Sequence, residues 1–140
     1  MNQVIETQNL QDLIAEVCRQ HGEIIAAYVF GSQAKGKTKP SSDIDIAVLL
    51  YELGKHSFDY LECKASLERM LNEDVDLIVL NDAGELLKFQ IRRDGQIVFD
   101  RDPRKRKKWE IMSRKFYQDY LHLHSIYMNG LYNSLRSGRG

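Results

Sequence analysis

Cysteine is scarce in this chain. Cys18 and Cys63 are the two it has. Both fall on expected helix faces and read as reduced core thiols of a cytosolic protein rather than as a disulfide or a metal pair. No apolar run approaches the roughly 18 residues that a membrane span needs. The opening M-N-Q-V-I-E-T-Q has neither a basic start nor an apolar core, so no signal peptide is expected, and the chain is placed in the cytoplasm. There is no G-x-x-x-x-G-K-[ST] and no dinucleotide-binding glycine fingerprint. No internal repeat or low-complexity segment is found. Net charge is lacking too, with 20 Lys and Arg against 20 Asp and Glu.

What is present suits one soluble domain. The chain has 140 residues, 43% of them hydrophobic and 29% charged, enough for a real core. The zero net charge hides a segregation. Residues 1–100 carry 10 basic against 17 acidic side chains, and residues 101–140 carry 10 against 3. Such a tail is suited to meeting something acidic, whether its own body, a partner or nucleic acid.

Periodicity gives an alternating order of helices and strands. Leu10, Leu13, Ile14, Val17 and Cys18 mark one buried face of a helix over 8–21, with Thr7 or Asn9 as cap and Gly22 as its end. Ile24 to Phe30 is a strand that is apolar on both sides, as a covered central strand is. A Gly/Lys/Ser/Pro loop over 33–42 follows, then a strand from Asp43 to Leu50. Ser57 is the expected cap of a helix running to about Asn72, with Phe58, Leu61, Ala65 and Leu71 turned inward. Val75 to Leu80 is a third strand. Residues 81–90 form a loop and short helix, Arg93-Asp94-Gly95-Gln96 a turn, and Ile97-Val98-Phe99 a last strand before Asp102-Pro103 ends the sheet. Residues 104–135 read as one long helix or two, with a stripe of Met112, Phe116, Tyr120, Leu123, Tyr127 and Leu131. That stripe either packs on its own domain or serves an interface, where Tyr, Trp and Met are favoured. The run R-K-R-K-K at 104–108 reads as a solvated helix start, and direct nucleic-acid binding is not expected from it alone. His122 and His124, two apart, do not share a helical face. The expected organisation is a core over 1–102, a helical extension over 103–135 and a flexible tail over 136–140.

Chemistry concentrates in Gly31 to Leu50, G-S-Q-A-K-G-K-T-K-P-S-S-D-I-D-I-A-V-L-L. Asp43 and Asp45 open a strand and point the same way, roughly 6–7 Å apart along it. Two such charges repel by about 3 kcal/mol at an effective dielectric near 20. They are either a solvated strand end or a site for a divalent cation, since Mg²⁺ prefers carboxylate oxygens and completes its shell with water and phosphates. Gly31 and Ser32 offer the close backbone approach and the donors that a phosphate needs. Lys35, Lys37 and Lys39 are either a solvated loop or cations reaching a triphosphate. Asp76 is an acid inside an otherwise apolar strand, which calls for a reason. Asp74 is its rival but precedes the apolar run.

Gly31-Ser32, ten residues, then Asp43-x-Asp45 resembles the signature of the DNA polymerase β-like nucleotidyltransferases. The short body and helical tail resemble the minimal nucleotidyltransferases, the MNT antitoxins of HEPN/MNT toxin–antitoxin systems. The resemblance covers residues 10–100, and the tail only in its helical character. It implies an α/β (α+β) fold, a small mixed sheet of about four strands flanked by helices, with a long C-terminal helical tail. It implies Asp43, Asp45 and Asp76 as the carboxylates of a site for two Mg²⁺ ions roughly 3.5–4 Å apart, with Asp76 orienting or deprotonating the acceptor hydroxyl. Gly31, Ser32, Lys35 and Ser42 would bind the nucleotide, although relatives often carry Arg where Lys35 stands, and Lys lacks bidentate geometry. The implied activity is transfer of AMP from ATP to a tyrosine of a partner HEPN ribonuclease toxin. A small-molecule acceptor of the aminoglycoside type, and a non-catalytic antitoxin that masks the toxin by binding, are the other readings.

Overall fold

The computed structural model describes residues 3–31 and 43–137. In chain order it has α1 (Gln3–Arg19), β1 (Ile24–Phe30), β2 (Ile44–Leu50), α2 (Tyr60–Leu71), β3 (Val75–Val79), α3 (Glu85–Asp94), β4 (Gln96–Asp100) and α4 (Pro103–Arg136), with short 3-10 turns at Glu52–Gly54 and Leu80–Asp82. The four strands form one mixed sheet in the order β3-β2-β1-β4. β2 and β3 run parallel, and β1 is antiparallel to both β2 and β4. A parallel pair cannot be closed by a tight turn, and α2 supplies the crossover. The expected architecture is the observed one.

Both faces of the sheet are covered, which is why β1 and β2 are buried almost along their whole length. On one face, Ile14, Val17 and Cys18 of α1 and Cys63 and Leu67 of α2 pack on Val29, Ile46, Val48 and Leu77. Both thiols are free and buried, and burial pushes each up to about 12, so neither is a reactive thiolate at neutral pH. On the other face, Ile91 of α3 joins Ile25, Ala26, Tyr28, Ala47, Leu49 and Leu80, with Leu87 and Trp109 at its margin.

Several boundaries differ from the sequence expectation. α1 starts at Gln3 and ends at Arg19, and Gln20 and His21 close a turn onto the carbonyls of Val17 and Cys18. α2 is capped by Asp59, not Ser57. The Asp59 carboxylate accepts from the Glu62 amide at 3.0 Å, while the Ser57 hydroxyl donates to Glu23. Its buried face is Cys63 and Leu67, four apart, and Leu61 is exposed. Asn72 ends the helix in the left-handed region at φ 55°. Leu80 belongs to a turn rather than to β3, and α3 extends through Arg93 and Asp94, so the expected turn begins at Gly95.

The tail is one helix, α4, of 34 residues, about 51 Å long at 1.5 Å per residue. Asp102 caps it through the Lys105 amide, and Pro103 suits its first turn. Its start is locked to the sheet by a partly buried network. The Tyr28 hydroxyl donates to Glu110 at 2.9 Å, and Arg106 bridges Asp100 at 2.9 Å and Glu110 at 3.1 Å. Burial, then the Glu110 carboxylate, push the Tyr28 phenol far above its ordinary range. Further along, Arg92 bonds Ser113 and the rings of Phe89 and Tyr117 stack at 4.4 Å. Beyond Tyr120 the helix leaves the body, and Leu123, Ile126, Tyr127, Leu131 and Tyr132 are all exposed.

Candidate active site

Asp45 lies on the side of β2 that also carries Ala47 and Leu49, because strand side chains alternate. Its register partner across the parallel pair is Asp76, and its partner across β1 is Phe30. The two acids therefore sit side by side on neighbouring strands, at the end of that face beyond the apolar cluster. Asp43 lies one residue ahead of β2 and is exposed. The β2–β3 register is pinned there by the Ile44 amide, which donates to the Asp74 carbonyl at 2.9 Å, while the Val75 amide donates to the Glu68 carboxylate of α2 at 3.0 Å and holds the start of β3 to that helix. Asp74 thus contributes its backbone to the pairing, while Asp76 presents its side chain beside Asp45.

Gly31 follows β1 with φ 71°, a left-handed conformation that L side chains avoid. A Cβ at this position would overlap Oδ2 of Asp45. The end of β1 therefore approaches the carboxylate more closely than any other residue type allows. Ser32, Lys35 and Ser42 lie outside the described residues.

The electrostatics is that of acids set close to one another. Burial raises the Asp45 carboxyl above its ordinary range, helped by the charges of Asp76 and Asp43 and by a hydrogen bond with Asp76. Among the described residues, no Lys or Arg forms a salt bridge with any of the three. Among the same residues, no group of three or more His, Cys, Asp and Glu side chains, Asp43, Asp45 and Asp76 included, is gathered into a preformed cage that could hold a metal ion. A hard cation bound through one or two carboxylates and substrate phosphates does not need such a cage. The paired carboxylates Asp45 and Asp76, with Asp43 close by, fit Mg²⁺ by donor type.

Two features escaped the sequence reading. Asn81 donates to the Leu50 carbonyl at 2.8 Å and accepts from its amide at 2.9 Å, tying the chain after β3 to the end of β2. The Tyr28–Glu110–Arg106–Asp100 network is the other: Asp100, Arg106 and Glu110 are near one another in sequence, but Tyr28 is 82 residues from Glu110 and nothing local links it to them.

Comparison with known proteins bears on the family and the fold. The family model for "Polymerase beta, Nucleotidyltransferase" matches residues 12–104. A Methanocaldococcus jannaschii protein named as a protein adenylyltransferase is 38% identical over 82 residues, 59% of this chain and 86% of the relative. A second such protein of that organism is 37% identical over 75 residues, 49% and 86% of the two chains. Among solved structures, a chain of a toxin–antitoxin complex with AMP-PNP superposes with TM-score 0.72 at 24% identity, covering 86% of this chain and 97% of that one. A chain of the complex of tri-AMPylated Shewanella oneidensis HEPN toxin with MNT antitoxin superposes with TM-score 0.69 at 22% identity, covering 89% and 98%. At those identities the superpositions show the fold alone. They extend past residue 104, however, so the long helix is part of the shared architecture. Among the described residues, no helix is long and apolar enough to cross a membrane. Because that family model matches 93 of its 140 residues, this chain is a member of the polymerase β-type nucleotidyltransferase family.

Proposed function

We propose that this chain is an antitoxin nucleotidyltransferase that transfers AMP from ATP to a tyrosine hydroxyl of a HEPN-domain toxin. The observation that carries the chemistry is the pair Asp45 and Asp76 on adjacent strands, with Gly31 closed against Asp45 and no cation supplied by the described chain. Relatives named as protein adenylyltransferases support the protein acceptor, and the HEPN–MNT complexes of the same fold support the partner.

Asp43, Asp45 and Asp76 are the residues that would hold Mg²⁺. Bound there, the metal supplies positive charge to the triphosphate and acidifies the acceptor hydroxyl. Asp76, exposed at its strand, would orient that hydroxyl and accept its proton in this reading. The tyrosine oxygen forms a bond to the α-phosphorus as the bond from that phosphorus to the bridging oxygen breaks, and pyrophosphate leaves with the electron pair. Gly31, lacking a Cβ, lets the end of β1 close on the Asp45 carboxylate and so brings the start of the nucleotide grip beside it. Ser32, Lys35 and Ser42 complete the nucleotide grip in this reading.

The test is mass spectrometry of a HEPN-domain partner incubated with the chain, ATP and Mg²⁺, beside the Asp43→Ala/Asp45→Ala variant. A gain of AMP-sized mass that the variant does not give is expected. Tight binding with no mass gain would replace the enzymatic reading by masking, which the exposed face of α4 also serves.

A further inference from the structure

At the opposite end of the same sheet face from the carboxylates, where β2 ends and α4 begins, lies a cavity of about 340 Å³. Ile25 and Leu49 of the sheet and Trp109 and Met112 of α4 line it, and Lys105 and Lys108 stand among its wall residues. None of these residues is among those proposed above for nucleotidyl transfer. The volume is at the low end of the about 300–1,000 Å³ usual for ligand pockets, and apolar walls with a few polar groups are their usual lining.

Three observations say what fits there. First, the pocket is continuous with the unpartnered face of α4. Lys105, Trp109, Met112, Phe116, Tyr120, Leu123, Tyr127 and Leu131 recur three or four apart and so form one helical face. That face spans about 39 Å, and from Met112 onward its apolar members are exposed. Second, the pocket's two ammonium groups are not used by the described chain. Lys105 rests over the Tyr51 ring at 6.0 Å, and among the described residues neither lysine pairs with a carboxylate. The acid at the same pocket, Glu52, already accepts from Asn81 at 2.9 Å. Third, the last part of α4 is apolar on more than one side. Tyr132 and Leu135 are exposed as well as Tyr127 and Leu131, and a helix of that kind is normally buried by others.

We infer that this pocket is the anchor of a protein-docking surface. Its occupant is an amphipathic helix of the partner, laid along α4, with one large apolar side chain in the cavity and acidic residues against Lys105 and Lys108. The inference rests on the proposed partnership with a HEPN-domain protein and adds where and by what chemistry that partner is held. Helix-on-helix docking through apolar anchors at three- and four-residue spacing is a recurrent recognition mode, and charges around an apolar anchor set orientation and association rate.

The experiment is calorimetric titration of the full-length chain with the HEPN partner at low and high salt, with AMP transfer followed separately. Lys105→Glu/Lys108→Glu is expected to weaken binding at least tenfold at low salt and less at high salt, while Lys105→Arg/Lys108→Arg stays within about threefold. Met112→Glu is expected to weaken it at least tenfold. Leu53→Asp, at a pocket residue that is 96% exposed, repeats the test at a position that cannot unfold the chain, and a loss of several-fold is expected. Affinities within threefold of the wild type for the charge-reversed pair and for both apolar-site variants overturn the proposal. So does a change in the oligomeric state of the chain alone, by light scattering, which would assign the pocket to a second copy. Loss of AMP transfer with binding intact, as in Asp43→Ala/Asp45→Ala, bears on the enzymatic reading only. No binding by the wild type overturns partner and pocket together.

Discussion

Two groups of acids lie on one face of the sheet and have opposite surroundings. Asp100 and Glu110 share Arg106, whose side chain is only 11% exposed, and Glu110 also accepts from Tyr28. Asp45 and Asp76 face each other across paired strands, and among the described residues no basic side chain bridges them. The first group has its cation, although Asp100 Oδ1 stays buried without a partner, and it fastens α4 to the body. The second repels itself and has no such fastening among the described residues. Carboxylates do not reveal their role by identity or by burial. The presence or absence of a cation within reach separates the fastening from the site.

That contrast can be broken from either side. Asp76→Ala is expected to have the largest effect, lowering AMP transfer by about 10³-fold, some 4 kcal/mol of activation free energy, with the circular dichroism spectrum and melting temperature nearly unchanged. Ordinary activity in that variant would remove Asp76 from the mechanism. Arg106→Ala should do the reverse. It leaves Asp100 and Glu110 without their cation and is expected to cost about 3 kcal/mol of stability in urea unfolding, and a loss below about 1 kcal/mol would mean that water replaces the guanidinium. Gly31→Ala places a Cβ in a left-handed residue against Asp45, at a cost of about 1–2 kcal/mol, and should slow transfer roughly tenfold. Unaltered kinetics there would show that the strand end relaxes freely.

The smallest expected effect is a dependence on pH. Burial and the charges of Asp76 and Asp43 raise the Asp45 carboxyl in the folded state. A raised carboxyl favours the folded protein fully below the ordinary value of about 4, and that contribution is lost as pH rises through the folded value. Asp45→Asn removes the loss. Without metal, the variant should melt higher than the wild type at pH 7, and the difference should shrink to nothing on acidification below about 4. Added Mg²⁺ should reverse the order at pH 7 by stabilising the wild type alone. A variant that melts lower than the wild type in chelator at pH 7 would mean that the acids are not in conflict.

Much of this was legible along the chain because the information is local. The apolar runs of β1 and β2 follow from a sheet covered on both faces. Gly31 and the Asp43-x-Asp45 spacing are local too, and Asp76 stood out as the single acid in an apolar strand. Element ends were less legible. Ser57 and Asp59 are both good caps, and only the competing bond from Ser57 to Glu23, 34 positions away, decides between them. Leu61 and Cys63 offer different helix faces, and the position of α1 selects Cys63 and Leu67.

The sequence by itself determined the order of the elements, the covered sheet, the turn at Gly31 and the identity of the candidate acids, because each depends on neighbours within a few residues. Tertiary structure decided the rest. The β2–β3 register sets Asp45 beside Asp76, 31 positions apart in the chain, and nothing in either strand alone specifies the offset. The docking of α4 through Arg106 likewise depends on Asp100, Glu110 and Tyr28 meeting in space. It leaves the far part of one continuous helix without a partner, a division that the uniform apolar spacing of residues 112–131 does not contain.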